Sequence, residues 1–143
     1  MIPSHGETTQ IPEQFSQSIG RIVYSAGRVE FLIGRMLPSG ATGESGARLV
    51  KAAREVNHPA VADVVDGYER MLPDRNHLIH GTYQVFEDHI VAWHLRQGGK
   101  HLTSHPYSVE VLTSIATSWG NLAEAAHHAL HILLGDHSAE PTV

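Results

Sequence analysis

The sequence predicts a mainly α-helical protein, a bundle of helices with a β-hairpin inserted before the last long one. Three observations carry that expectation. Long stretches repeat apolar residues at spacings of three and four, which lines them up along one helix face. Between residues 83 and 105 the apolar period falls to two, the period of a strand. With 41% hydrophobic and 17% charged residues over 143 positions, the composition is that of a globular chain with one core.

The elements follow in order. Residues 1–12 are polar and carry Pro3, Gly6 and Pro12, and read as a flexible arm. From Glu13 to Leu37 the residues Ile19, Ile22, Val23, Ala26, Ile33 and Leu37 form one helical stripe, ended by Pro38 and Gly40. "SGATGESGAR" then connects to a short helix from Ser45 to Val56, stopped by Asn57 and Pro59. A third helix starts at Pro59, where the missing N–H costs nothing. Its apolar face is Val61, Val64, Val65, Tyr68, Leu72 and Ile79, and Pro73 is expected to kink or restart it. Beyond Gly81, Val91, Trp93 and Leu95 alternate with Ala92, His94 and Arg96, and "QGGK" signals a turn, so residues 83–105 read as a hairpin or small meander. Ser108 can cap a last helix to about Leu134 with Leu112, Ile115, Ala116, Trp119, Ala123, Ala126 and Leu130 on one face. Residues 13–136 are thus one domain, and 137–143 a flexible tail.

Bulk properties narrow the function classes. No apolar run approaches the roughly 20 residues of a membrane span, and the N-terminal "MIPSHGETTQIPEQ" has no signal-peptide pattern. A cytoplasmic protein with no membrane partner is expected. With no cysteine there is no disulfide framework and no thiolate metal site. A net charge of -5 opposes a broad basic surface on nucleic acid, but leaves room for a local phosphate pocket.

Two charges fall on apolar faces. At about 100° per residue, Glu30 projects into the stripe of the first helix, and Arg75 projects between Val64 and Tyr68 on the third. A buried charge forgoes several kcal/mol of hydration unless it is paired, so Glu30 and Arg75 are expected to approach each other. Around Arg75 the sequence reads "RNHLIHG". Asn76, His77 and His80 share a flank through spacings of three and four. Arg75 and His80 are five apart, about 140° around the axis, and are expected on two sides of a cleft or at a two-fold axis.

The chemistry of that set is specific. A guanidinium is a permanent planar cation that fits phosphate, a histidine can take or give a proton near neutral pH, and an asparagine amide can orient either. Together they suit phosphodiester cleavage by the RNA's own 2′-hydroxyl, a route that calls for no metal or other cofactor. The bland reading of the same residues is a structural Arg–Glu pair beside a helix-end histidine.

"RNHLIHG" resembles the signature of the HEPN domains (higher eukaryotes and prokaryotes nucleotide-binding), an arginine followed after four to six residues by histidine, often with asparagine next to the arginine. The match falls on Arg75, Asn76 and His80, and the resemblance extends over roughly residues 13–134, including an acidic residue, Glu30, on a long first helix. It implies an HEPN-like helical bundle that forms a homodimer, with the motif helices of both subunits facing one cleft. It also implies a metal-independent endoribonuclease, as in toxins, antiviral and RNA-processing systems. In that reading Arg75 stabilises the phosphate, His80 transfers the proton, Asn76 orients the site, Glu30 holds Arg75, and His77 or Tyr83 assists. The alternative is a non-catalytic HEPN module that binds a nucleotide or a partner protein such as an antitoxin. Toxins paired with a nucleotidyltransferase antitoxin usually carry tyrosine two residues after the histidine; here that position is Thr82, and Tyr83 follows.

Other signals carry less. "GATGESGAR" lacks the Lys-Ser/Thr ending of a phosphate loop and a strand before it. His127 and His131 stand four apart without a further ligand to complete a zinc site. His94, His101 and His105 read as exposed strand histidines, and Trp93 and Trp119 as core residues.

Overall fold

A computed structural model of the protein describes residues 6–38, 40, 44–95 and 101–137, the last two by backbone alone. In chain order the elements are β1 (Glu7–Thr8), α1 (Glu13–Met36), α2 (Gly46–Arg54), α3 (Pro59–His80), β2 (Thr82–Phe86), β3 (His89–Leu95), β4 (Leu102–Ser108) and α4 (Val109–His137). The described residues are therefore mainly helical, as the apolar spacings predict. The strands form one antiparallel sheet in the order β1-β2-β3-β4. The "QGGK" turn, the start of the arm, the end of the tail and residues 39 and 41–43 of the glycine-rich connection lie outside the described residues.

The chain divides into two compact units, Met1–Tyr24 with Pro73–Ser118, and Ser25–Leu72 with Trp119–Val143. The first holds the sheet. Its strands are paired so that Val85, Ile90 and Tyr107 stand side by side, and Tyr83, Ala92 and His105 form the next row on the same face. That face is the buried one: Ile90, Ala92 and Tyr107 are fully enclosed. This reverses the parity the sequence suggested. Val91 and Trp93 are half-buried on the opposite face and Leu95 is exposed, so Trp93 is not a core residue. Because side chains alternate strictly along a strand, pairing register alone decides which set goes inside. Trp93 instead fixes its indole outside the core by donating from Nε1 to Gln84 Oε1 at 2.8 Å.

Two details of the sheet differ from expectation or explain it. Glu7 and Thr8, placed in the loose arm by their polarity, pair with Phe86 and Val85 as the edge strand β1. Pro106 sits inside β4 opposite Val91, a place open to proline because β4 is the other edge of the sheet and has a strand on one side only. Ser108 then caps α4 as predicted, its Oγ accepting from Val111 N at 3.2 Å.

In the second unit the core is built on Tyr68 and Trp119, both fully enclosed and packed edge to face with ring centroids 5.9 Å apart. Trp119 is thus a core residue, as its place on the α4 stripe predicts. Ala26, Val29, Ile33 and Met36 of α1 are buried here too, while Val23 is 46% exposed, so the buried face of α1 is rotated away from Val23. The α2 helix ends as expected near Asn57, which takes a positive φ of 56°. An asparagine reaches that left-handed region more readily than most side chains. Helix α3 runs through Pro73 as one element instead of restarting there. Proline removes one N–H of the ladder, and the lost bond does not divide this helix. Among the described residues no helix is long and apolar enough to cross a membrane.

Candidate functional site

The motif occupies the last turn of α3, and the sheet holds that turn in place. A helix end leaves its final carbonyls without intrahelical donors, and here a side chain supplies one of them. The Tyr83 hydroxyl donates to the Leu78 carbonyl. His77 Nδ1 lies 2.8 Å from the Pro73 carbonyl and Nε2 lies 3.0 Å from Thr103 Oγ1 on β4. Tyr107, on the buried face of β4, donates to Asp74 Oδ1 at 2.8 Å. Three bonds between helix and strands thus flank the motif residues on both sides in sequence.

Gly81 makes the junction possible. A Cβ built there would stand 2.1 Å from the His77 carbonyl oxygen and 2.8 Å from that of Trp93. Both are backbone atoms that cannot swing aside, so only glycine lets the chain leave α3 and enter β2 at this distance.

Within this frame Arg75 is buried, 7% exposed, as its place on the α3 stripe predicts. Its Nη1 donates to Asn76 Oδ1 at 3.1 Å and lies 3.0 Å from His80 Nε2. Arg75 and His80 therefore touch, where the sequence suggested two sides of a cleft. The 140° between their Cα directions is bridged by the length of the arginine side chain and by the position of His80 at the end of the helix. A guanidinium has no acceptor atom, so His80 Nε2 accepts, and a neutral His80 carries its proton on Nδ1. His80 itself is exposed and Asn76 half-buried, so one side of the trio faces solvent.

His77, Tyr83 and Glu30 make bonds of their own. His77 has both ring nitrogens occupied by Pro73 and Thr103, and its ring lies beside those of His94 and His105, with centroids at 5.8 and 6.3 Å. Among the described residues no three His, Cys, Asp or Glu side chains are placed to hold one metal ion. Tyr83 acts on a backbone carbonyl and positions the helix end. Glu30 belongs to the second unit, where its Oε2 accepts from the Tyr68 hydroxyl at 2.6 Å while Tyr68 Oη accepts from Gly46 N at 2.9 Å. Glu30 thereby anchors the start of α2 through Tyr68. Asp74, Thr103 and Tyr107 were not picked out by sequence: their partners lie 26 to 33 residues away, and no local pattern marks them.

The two tyrosines that hold the helix end give the site a pH signature. Burial pushes the Tyr83 hydroxyl above the ordinary phenol range. Burial, then the bond to Asp74 and its charge, pushes Tyr107 far above it. Both groups ionise near pH 10 in an unfolded chain and later in the folded one. Stability from them is therefore complete below about pH 10 and falls above it, where the folded chain keeps protons that the unfolded chain releases. The urea midpoint is expected to drop steeply between pH 10 and 11, and Tyr107→Phe is expected to flatten that drop. An unchanged slope in Tyr107→Phe would remove Tyr107 from the account.

Comparison of the chain with protein-family models, with curated proteins and with solved structures gives no match.

Proposed function

We propose that this chain is an HEPN-like endoribonuclease that acts as a homodimer, with Arg75, Asn76 and His80 as its working site. The observation that carries the reading is the single buried Arg75 Nη1 that meets Asn76 Oδ1 and the exposed His80 Nε2 at 3.1 and 3.0 Å at a sheet-held helix end. In the reaction His80 accepts the proton of the RNA 2′-hydroxyl, the O2′–P bond forms and the P–O5′ bond breaks. The leaving O5′ takes a proton from the imidazolium so formed or from His80 of a second copy. Arg75 stabilises the additional charge on the phosphoryl oxygens. The products are a 2′,3′-cyclic phosphate and a 5′-hydroxyl. Toxin or antiviral defence roles in the cytoplasm suit such an activity.

The test is incubation of purified protein with a pool of labelled RNAs in EDTA, beside His80→Ala shown to be folded by its melting curve. Cleavage by the original protein alone, leaving cyclic-phosphate ends, is the expected result. Cleavage by neither sinks the nuclease reading. A second reading, a non-catalytic module that binds a nucleotide or a partner protein, is favoured by the fact that Arg75, Asn76 and His80 already engage one another. It predicts ligand-dependent thermal stabilisation without turnover.

A further inference from the structure

We propose that the resting site is latched: Arg75 occupies the lone pair of His80 Nε2, and a phosphate group that draws the guanidinium toward itself sets His80 free. The purpose of the latch rests on the ribonuclease reading above; its existence rests on the geometry of three side chains.

Nη1 of an arginine carries two hydrogens and no lone pair to offer. One hydrogen is directed to Asn76 Oδ1 at 3.1 Å and the other to His80 Nε2 at 3.0 Å. Nε2 is thus committed as an acceptor, and it is the only lone pair that a neutral His80 in this tautomer has. As long as the contact stands, His80 cannot take a proton from a substrate hydroxyl. Asn76 is a positioning residue: by holding the first hydrogen it fixes the rotation that aims the second. Burial of Arg75, 7% exposed, keeps the guanidinium from wandering into solvent, while His80 is exposed and within reach of an incoming ligand.

A phosphate oxygen is a stronger acceptor for this donor than a neutral ring nitrogen, because its bond to the guanidinium is between opposite charges. An RNA phosphodiester that arrives at Arg75 therefore competes with His80 and wins. The lone pair is then released beside the phosphate whose neighbouring 2′-hydroxyl must lose a proton. Base activity would thus appear only with the substrate in place, and His80 would be idle otherwise.

Two measurements test this on the full chain. Diethyl pyrocarbonate acylates an imidazole only through a lone pair, and His127, His128 and His131, exposed on α4, serve as internal references. His80 is expected to react roughly tenfold or more slowly than these, the size of a charge-assisted hydrogen bond. Arg75→Lys and Asn76→Ala, each shown to be folded by its melting curve, are expected to bring His80 to the reference rate. Nitrogen NMR of the histidine rings is expected to show His80 protonated on Nδ1 at rest. Inorganic phosphate, and separately a short oligonucleotide lacking 2′-hydroxyls, should each move the Nε2 signal saturably in the original protein and not in Arg75→Lys. A shift with the oligonucleotide alone would restrict the release to a diester and keep the latch. Equal reactivity of His80 and the references, a resting proton on Nε2, or no shift with either phosphate source would overturn the proposal. A latched and releasable His80 without RNA cleavage would defeat the nuclease reading and leave the latch standing; cleavage with a freely reactive His80 would do the reverse.

Discussion

Gly81→Ala is expected to lower stability by about 3 kcal/mol or more, the largest effect of a methyl added at any of the described glycines. The added carbon would sit 2.1 Å from the His77 carbonyl oxygen and 2.8 Å from that of Trp93. Relief requires the last turn of α3 and strand β3 to part, which stretches the His77–Thr103 and Tyr83–Leu78 bonds at the same time. Against a total stability of about 5–15 kcal/mol, such a loss leaves a protein that melts far earlier or fails to accumulate. Gly27→Ala is the matched control. Nothing lies within 4 Å of a Cβ there, and alanine in an exposed helix interior is worth about 0.5–1 kcal/mol over glycine. Urea titration of the pair measures both signs. A Gly81→Ala protein as stable as the original would mean that the helix–strand junction is looser than its distances state.

Arg75→Lys separates the site from the scaffold. Lysine keeps the positive charge, but its side chain is one atom shorter, so its ammonium stops short of the place from which Nη1 meets Asn76 and His80 at 3.1 and 3.0 Å. If the chain is the ribonuclease proposed above, RNA cleavage is expected to fall by about 100-fold or more, the cost of removing one donor aimed at transition-state charge. The melting temperature is expected to fall by only a few degrees, because the Tyr83, His77 and Tyr107 bonds that anchor the helix end do not pass through Arg75. The opposite pattern, a large loss of stability with cleavage retained, would make Arg75 a structural residue and nothing more.

The same residues show what local sequence can and cannot reveal. The helices were legible because an amphipathic stripe repeats within every few residues, and burial of Leu112, Ala116, Trp119, Ala123 and Ala126 on α4 follows the spacing directly. The strands were legible as strands but not in their facing. Val91, Trp93 and Leu95 are the more apolar set, yet Ile90 and Ala92 are the enclosed ones. Strand β1 had no signal at all, since Glu7 and Thr8 are polar and pair through backbone groups that every residue carries.

At the site, the order Arg75-Asn76-His80 and the burial of Arg75 could be read from spacing, because both are properties of one helix. The contact between Arg75 and His80 could not. It depends on side-chain length and on where the helix stops, and the stop depends on Gly81 meeting the backbone of β3. Glu30 was marked by its place in the α1 stripe, but its bond to Tyr68 joins residues 38 apart, and the Tyr107–Asp74 bond joins residues 33 apart. The sequence by itself determined which segments are helix, which stretch carries the longer strands, and which charged side chain is buried in the motif, since those follow from periodicities of 3.6 and two. Only the tertiary structure decided which sheet face is the core, which groups of α3 Tyr83 and Tyr107 bind, and that Arg75 rests on His80. These are choices of register and of long-range partner, set by packing between segments that carry no local record of one another.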